Sequence, residues 1–338
     1  MSNNSPRVSI CIPTYNRADM VVCAIRSALA QTYLDIEVVV VDNASTDNIE
    51  EVVASFEDSR LRFVKNKENL GLFGNFNRCI EVAQGEFLHI LHSDDYIDPN
   101  FTETCVAFFD EHPNVVLTFS SSITHIQDRA IEGHYAEKDL IFPAPEGFQR
   151  LLHERCFITC PSVMTRKELY QQIGKYSLEF PYSSDYYQWL RISRVLDIAY
   201  IKDTRVHYRQ GEHSESHRLL FTNPSGYLDT LKIFVQIIRD LGDDYPVYTS
   251  DLNCALRRYI GDCFYAGFTR GDGMKGIHPL LFTGLALTAW GLIRPKSLSE
   301  ILGKVGFLAI INCSLVCFSI SFLRRIIKKL FNERKLSY

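Results

Sequence analysis

The feature that most constrains this chain is an alternation that repeats through its first 120 residues: a short apolar run, a polar stretch, then a segment with apolar positions at helical spacing. Residues 8–12 read as a buried strand ended by Pro13, and residues 18–30 follow with helical periodicity. A continuous β-branched run over 36–41 ends at Asp42, and Asn43-Ala44-Ser45-Thr46-Asp47 supplies loop and cap chemistry before a helix over 49–56. The cycle recurs with a strand over 61–64, a loop through Asn69-Leu70-Gly71 and a helix to about residue 83. A strand over 87–91 then runs into His92-Ser93-Asp94-Asp95, and a helix over 101–111 and a strand over 115–120 complete the series. Strands separated by helices of this length require right-handed crossovers, which predicts an α/β fold with a mostly parallel sheet flanked by helices on both faces. Ligands of such sheets sit beyond the carboxyl ends of the strands, where Pro13, Asp42 and the Asp94-Asp95 pair all fall.

Beyond residue 124 the pattern loosens, broken by Pro143, Pro145, Pro161 and Pro181, until a helix over 186–195 and a strand over 198–202 close a domain near residue 216. Residues 220–275 carry helical periodicity, with Leu228, Leu231, Ile233, Val235, Ile237 and Ile238 as candidate core. The chain therefore reads as a catalytic domain over 1–216, a helical extension over 217–275 and an apolar, basic helical region over 276–338. A hydrophobic content of 46% against 22% charged residues fits a folded chain rather than a disordered one. The ten cysteines, mostly inside apolar runs, read as reduced core thiols. Cys156 with Cys160, and Cys313 with Cys317, lack the companion histidines of a zinc site. The polar start over 1–7 leads directly into a strand without a signal peptide, an arrangement that predicts a cytosolic catalytic region.

A G-x-G-x-x-G turn after the first strand would point to a dinucleotide-binding oxidoreductase; here that turn is Pro13-Thr14-Tyr15-Asn16-Arg17. Carboxylates at successive strand ends suit instead a divalent cation bridging a diphosphate. The ordered blocks Pro13-Thr14-Tyr15-Asn16-Arg17, Asp42-Asn43-Ala44-Ser45-Thr46-Asp47, Asn69-Leu70-Gly71 with residues 75–78, Gly85-Glu86-Phe87 and Asp94-Asp95 together resemble family 2 glycosyltransferases, inverting enzymes of the GT-A fold, over residues 7–216.

The resemblance implies roles residue by residue. Pro13, Thr14 and Tyr15 form the floor of a nucleotide pocket, and Asp42 accepts from the base; packing for Tyr15 and a turn for Asp42 are the bland alternatives. Asn69, Arg17 and Ser93 belong to the same donor site. Asp47 either serves that site or caps the following helix, and Arg78 either reaches a phosphate or is a solvated helix charge. Asp94 and Asp95 occupy the family's D-x-D position and hold Mg²⁺ or Mn²⁺. His92 stands where the fuller pattern has an acid, so it is read as a supporting residue. Asp185 matches the acidic residue that opens the base-bearing helix, with Ser184 in place of the usual Glu; it is expected to take the acceptor proton, and a helix N-cap is its alternative role. Arg209 and His213, in a segment that resembles the family's closing loop, are expected to meet the diphosphate.

The C-terminal region carries the other prediction. Residues 279–293 and 305–323 hold no charge, and 296–335 carry eight basic residues against two acidic ones in a chain of net charge −4. That asymmetry suits an anionic membrane surface and gives no sign of nucleic-acid binding. A hairpin or an interfacial arrangement on the cytoplasmic face is expected, with a buried helical core as the alternative. The resulting reading is transfer of a sugar, UDP-linked by preference, from a nucleotide donor to a glycan or lipid-linked acceptor. A sugar-phosphate nucleotidyltransferase would want a glycine-rich basic loop after the first strand. A catalytically silent nucleotide-sugar-binding protein would not need Asp94, Asp95 and Asp185 together.

Overall fold

The structure is a computed structural model that describes residues 5–211, 214 and 225–269. The chain divides into two units, Met1–His217 and Arg218–Tyr338.

The first unit is built on a ten-stranded mixed sheet in the order β3-β2-β1-β4-β9-β6-β10-β5. Strand β1 (Val8–Thr14) is buried along its whole length, as is β2 (Ile36–Asp42). These pair in parallel with each other, and with β3 (Leu61–Lys65) and β4 (Phe87–Ile90) on either side. Helices α1 (Ala18–Leu29), α2 (Ile49–Ala54) and α3 (Leu72–Val82) are the crossovers. Continuous apolar runs are what strands covered on both faces need. Val21, Ala24, Ile25 and Ala28 of α1 pack with Ile10, Ile12, Val38 and Val40 in the main core.

Past β4 the sheet departs from the parallel expectation. After α4 (Phe101–Glu111), β6 (Val115–Ile126) turns back through β7 (Arg129–Gly133) as an antiparallel hairpin. Strand β9 (Val163–Arg166) is inserted antiparallel between β4 and β6. The last strand, β10 (Asp197–Gln210), runs parallel to β6 and antiparallel to the two-residue β5 (Tyr96–Ile97) and to β8 (Leu140–Phe142). Between these lie α5 (Glu146–Glu154), α6 (Leu169–Gln172) and α7 (Ser184–Val195).

Gly85 shows why β4 starts where it does. A Cβ there would stand 2.6 Å from the Ser9 nitrogen, so only glycine lets the chain pass this close to β1. Its N–H donates to Ser9 Oγ at 2.8 Å, and that hydroxyl donates to Glu37 at 2.6 Å.

In the second unit, helices Ser225–Leu241 and Tyr245–Thr269 bury Leu231, Ile233, Phe234, Ile237, Leu252 and Leu256. Val235 and Ile238, also expected in the core, are half-buried. Among the described residues no helix is long and apolar enough to cross a membrane. The apolar, basic region over 276–338 lies outside the described residues.

Candidate active site

The loops after β1 and β2 are tied into one surface by short polar side chains. Asn16, in a left-handed conformation at φ 50°, donates its N–H to Ser45 Oγ at 2.9 Å and accepts from the Thr46 N–H at 2.8 Å. Asp42 is fully buried, and both of its oxygens accept the Ser45 N–H, at 3.1 and 3.2 Å. Its visible contact is thus with its own turn. Asp47 caps a helix, but not the one that follows it in sequence: its carboxylate accepts the Ala18 N–H at 2.9 Å, at the start of α1. An acceptor from 29 residues away satisfies a donor that α1 leaves unpaired.

Four asparagines extend this surface toward α3. Asn43 donates to Asn69 Oδ1 at 2.8 Å and accepts from the Leu70 N–H at 2.9 Å. Asn66 donates to Asn75 Oδ1 at 2.8 Å, and Asn75 donates to the Val41 carbonyl at 3.0 Å. Asn69 is part of this scaffold, and its Oδ1 also accepts the Gly71 N–H at 2.8 Å. Gly71 lies at φ 75°, ψ 177°, a conformation open essentially to glycine alone. Arg78 is not brought to the strand ends. In the second half of α3 it pairs with Glu81 at 3.0 Å, and Glu81 also holds Lys175 at 2.7 Å. The visible contact of Arg78 is with the next turn of its own helix.

At the end of β4 the acids meet their partners. Asp94, with Ser93, is buried and pairs through Oδ2 with Arg17 at 2.8 Å. Asp95 is fully buried; its Oδ1 accepts the Arg209 backbone N–H at 2.8 Å. The Arg209 guanidinium donates through Nε to the Asp94 carbonyl and through Nη2 to the Met20 carbonyl at 3.4 Å. Arg17 and Arg209 therefore approach the two acids from the residue before α1 and from β10 respectively. His213 lies outside the described residues.

His92 lies directly against the two acids. Its Nδ1 is 3.4 Å from Asp95 Oδ2, and ligand atoms of His92, Asp94 and Asp95 all lie within 4.8 Å of one another. Apart from that contact, Asp95 Oδ2 has no hydrogen-bond partner among the described residues, nor does the buried His92 Nε2. Burial works against a charge on His92, but the bond to Asp95 and the fields of Asp95, Asp94 and Asp185 outweigh it and raise its pKa. Burial raises the Asp95 pKa, partly offset by His92.

Asp185, in the first turn of α7, lies within the electrostatic reach of His92. Burial raises its pKa above the ordinary carboxylate range, against the opposing effects of the Tyr186 N–H, donated to Oδ1 at 2.8 Å, and of His92. Cys156 and Cys160 lie in its field, their thiols pushed up chiefly by burial. Cys160 opens the short 3₁₀ segment Cys160–Ser162. Thr14 is buried with its hydroxyl unpartnered at the end of β1, and Tyr15 beside it is 45% exposed. Pro13 is buried in register with Val41.

A polar cluster against β5 was not anticipated from sequence. Tyr96, Asp98, His125 and His207 come from three strands and a loop, with no spacing in the chain that links them. His207 stands two residues before Arg209 in the chain.

A mixed α/β sheet with acids, arginines and a flanking buried carboxylate at its strand ends defines a glycosyltransferase of the GT-A type. The model of glycosyl transferase family 2 matches residues 9–174. The UDP-Glc:alpha-D-GlcNAc-diphosphoundecaprenol beta-1,3-glucosyltransferase WfaP of Escherichia coli is 30% identical over 192 residues, 55% of this chain and 69% of that protein. The E. coli enzyme WfgD, described by the same activity, is 30% identical over 194 residues, 57% of this chain and 72% of its own. The chain belongs to glycosyltransferase family 2. The fold is shared with S. aureus TarS 1-349 in complex with UDP-GlcNAc, at a TM-score of 0.66 and 22% identity over 85% of this chain and 80% of that one. It is shared also with the mannosyltransferase PcManGT from Pyrobaculum calidifontis in complex with GDP-Man and Mn2+, at a TM-score of 0.51 and 17% identity over 92% and 86%.

Proposed function

We propose that this glycosyltransferase moves a sugar from a nucleotide diphosphate donor, UDP-linked by preference, onto a lipid-linked glycan acceptor with inversion at the anomeric carbon. The observation that carries the proposal is the convergence of Asp94, Asp95, Arg17 and Arg209 at the strand ends. The printed activities of WfaP and WfgD support the donor and the acceptor class.

Pro13, Thr14 and Tyr15 would line the nucleotide pocket, with the Tyr15 ring open beside the base. Asp42 would act from beneath, holding the 43–47 loop to shape the base site. Asn69 would fix the facing loop, and Ser93 would lie along the ribose and diphosphate. The two carboxylates of Asp94 and Asp95, with His92 beside them, fit a divalent cation such as Mn²⁺ or Mg²⁺, and apart from His92 the buried Asp95 Oδ2 has no hydrogen-bond partner among the described residues. A bound cation would supply charge neutralisation to the departing diphosphate.

The chain's own residues supply the rest. Asp185 takes the proton from the acceptor hydroxyl, whose oxygen attacks the anomeric carbon as the bond to the diphosphate breaks on the opposite face. Its raised pKa makes it a stronger base than a solvent-exposed aspartate. Arg17 and Arg209 bring positive charge to the leaving group as its negative charge develops. Arg17, whose pairing with Asp94 is half-buried, can exchange that carboxylate for a phosphate oxygen.

The test is nucleotide release from purified protein with UDP, GDP and dTDP sugars and a lipid-linked acceptor, with and without EDTA. Metal-dependent release of UDP is the expected result. Full turnover in EDTA would remove the metal from the reading, and failure with every donor would favour a binding protein.

A further inference from the structure

The loop that carries Asp94 and Asp95 is attached to β10 at two points. One is Arg209, whose N–H meets Asp95 Oδ1. The other lies two residues earlier on the same face of the strand. His207 Nε2 donates to Asp98 Oδ1 at 2.9 Å, and His207 Nδ1 lies 3.1 Å from His125 Nε2, one sharing its proton with the other. Tyr96 Oη reaches the same His125 nitrogen at 3.2 Å, and the Tyr96 ring stacks flat on His207, with centroids 4.2 Å apart and planes 8° from parallel. The backbone alone gives this junction little hold: β5 is two residues long and pairs with β10 only at Ile97 and Tyr96. One further main-chain bond joins Asp98 N to Arg205 O, at 3.0 Å.

We propose that His207 is a positioning residue: linked to Asp98 and His125 and stacked on Tyr96, it sets the depth at which Asp95 meets the Arg209 N–H. It touches neither donor nor acceptor and acts through the 92–98 loop. The inference rests on the reading of Asp94 and Asp95 as the cation-holding pair. Groups that orient such a pair from behind have effects comparable with those of the ligands' own surroundings. A lost hydrogen bond to a carboxylate corresponds to roughly 10- to 100-fold in kcat/KM.

The experiment uses the full chain and four variants: His207→Ala, His207→Gln, His207→Asn and His125→Ala. UDP binding is titrated with and without Mn²⁺, and kcat and KM are measured with whichever sugar nucleotide the release panel selects. His207→Ala should weaken Mn²⁺-dependent UDP binding and lower kcat/KM by that factor, while UDP binding without Mn²⁺ stays as in the unaltered protein. Gln, whose amide can still donate to Asp98, should recover most of the loss. Asn reaches only the His125 side and should not. Equal losses for Gln and Asn, or unaltered Mn²⁺-dependent binding in His207→Ala, would overturn the inference. If the alanine variant fails to fold, the contrast between Gln and Asn still decides, with His125→Ala expected to fall between them. Asp95→Ala separates the two levels: if it retains Mn²⁺-dependent UDP binding, the cation reading itself fails. If it abolishes that binding and His207 proves indifferent, only the positioning role is lost.

Discussion

Replacing Asp185 by Asn keeps the shape and the bond from the Tyr186 N–H but removes a carboxylate that burial has made more basic. Transfer should fall by roughly 10²-fold or more, with donor and cation binding nearly intact. A variant with the parent rate in a single-turnover assay would leave Asp185 as a helix-opening residue only. Asp95→Ala should act on the other half of the chemistry, abolishing turnover and Mn²⁺-dependent UDP binding while circular dichroism stays unchanged, since no neighbouring side chain replaces its buried oxygen. His89 offers a residue-scale test of stability. Buried in β4, it donates through Nε2 to the Pro161 carbonyl at 2.9 Å, and burial lowers its pKa from 6.5 to about 4. The unfolded chain therefore binds a proton more readily than the native one between these values. Stability is full above about pH 6.5 and declines as pH falls toward 4, by about 2 kcal/mol between about pH 7.5 and about pH 5. The raised Asp95 and Asp185 act with the opposite sign, so the measurement is a difference: denaturant titration of the parent against His89→Gln, which keeps the donor to Pro161. Equal pH slopes for the two would refute it. At this scale the Asp94–Asp95 pair was legible from its place at a strand end, and Arg17 and Arg209 from the family resemblance. Arg78 was not, since the same residue type on a helix finds a partner one turn away. Neither was the Tyr96–His125–His207 contact, which depends on a strand pairing that no local pattern announces.

At the level of elements, the buried parallel strands and their crossover helices follow from periodicity alone, because a strand covered on both faces has to be apolar throughout. The insertion of β9 does not: its four residues follow Pro161, and an antiparallel strand of that length between β4 and β6 has no pattern of its own. Strand β10 also runs to Gln210, well beyond the apolar run over 198–202, because β6 and β5 pair with its polar half. The Asp47 cap shows the same limit, since cap chemistry is readable in the sequence but the helix that receives it is not. Asp47→Ala should destabilise the first unit by about 1 kcal/mol, and Asp47→Asn by less, because an amide oxygen can still accept the Ala18 N–H. Thermal melting would show the ranking, and an alanine variant as stable as the parent would mean that water satisfies that donor equally well. Gly85→Ala should cost more, about 1–3 kcal/mol, because the added methyl meets β1 backbone rather than a movable side chain. A Gly85→Ala protein that melts with the parent would show that β1 and β4 can separate without loss.

For the whole molecule, the catalytic and the membrane readings belong to different stretches of chain, and this separation is itself testable. Every residue assigned to the donor site precedes position 217, whereas the uncharged runs over 279–293 and 305–323 and the basic cluster over 296–335 follow it. Removal of 279–338 should therefore release the protein from membranes while leaving Mn²⁺-dependent UDP binding in place. The expected attachment has two physical parts. Apolar side chains of 305–323 contribute about 25 cal/mol per Å² withdrawn from water, and each basic residue beside an anionic surface adds about 1 kcal/mol. The uncharged run of 19 residues would measure roughly 28 Å as a helix, close to the roughly 30 Å of a hydrocarbon core. A single span would separate the basic cluster from a cytosolic donor site, so a hairpin or an interfacial arrangement is the consistent choice. The two respond differently to washing: an interfacial segment loses its electrostatic part in high salt and is stripped by alkaline carbonate, whereas a hairpin resists both. Fractionation of the full-length protein under each wash decides between them, and a monodisperse full-length protein in detergent-free buffer would defeat both in favour of a buried helical core.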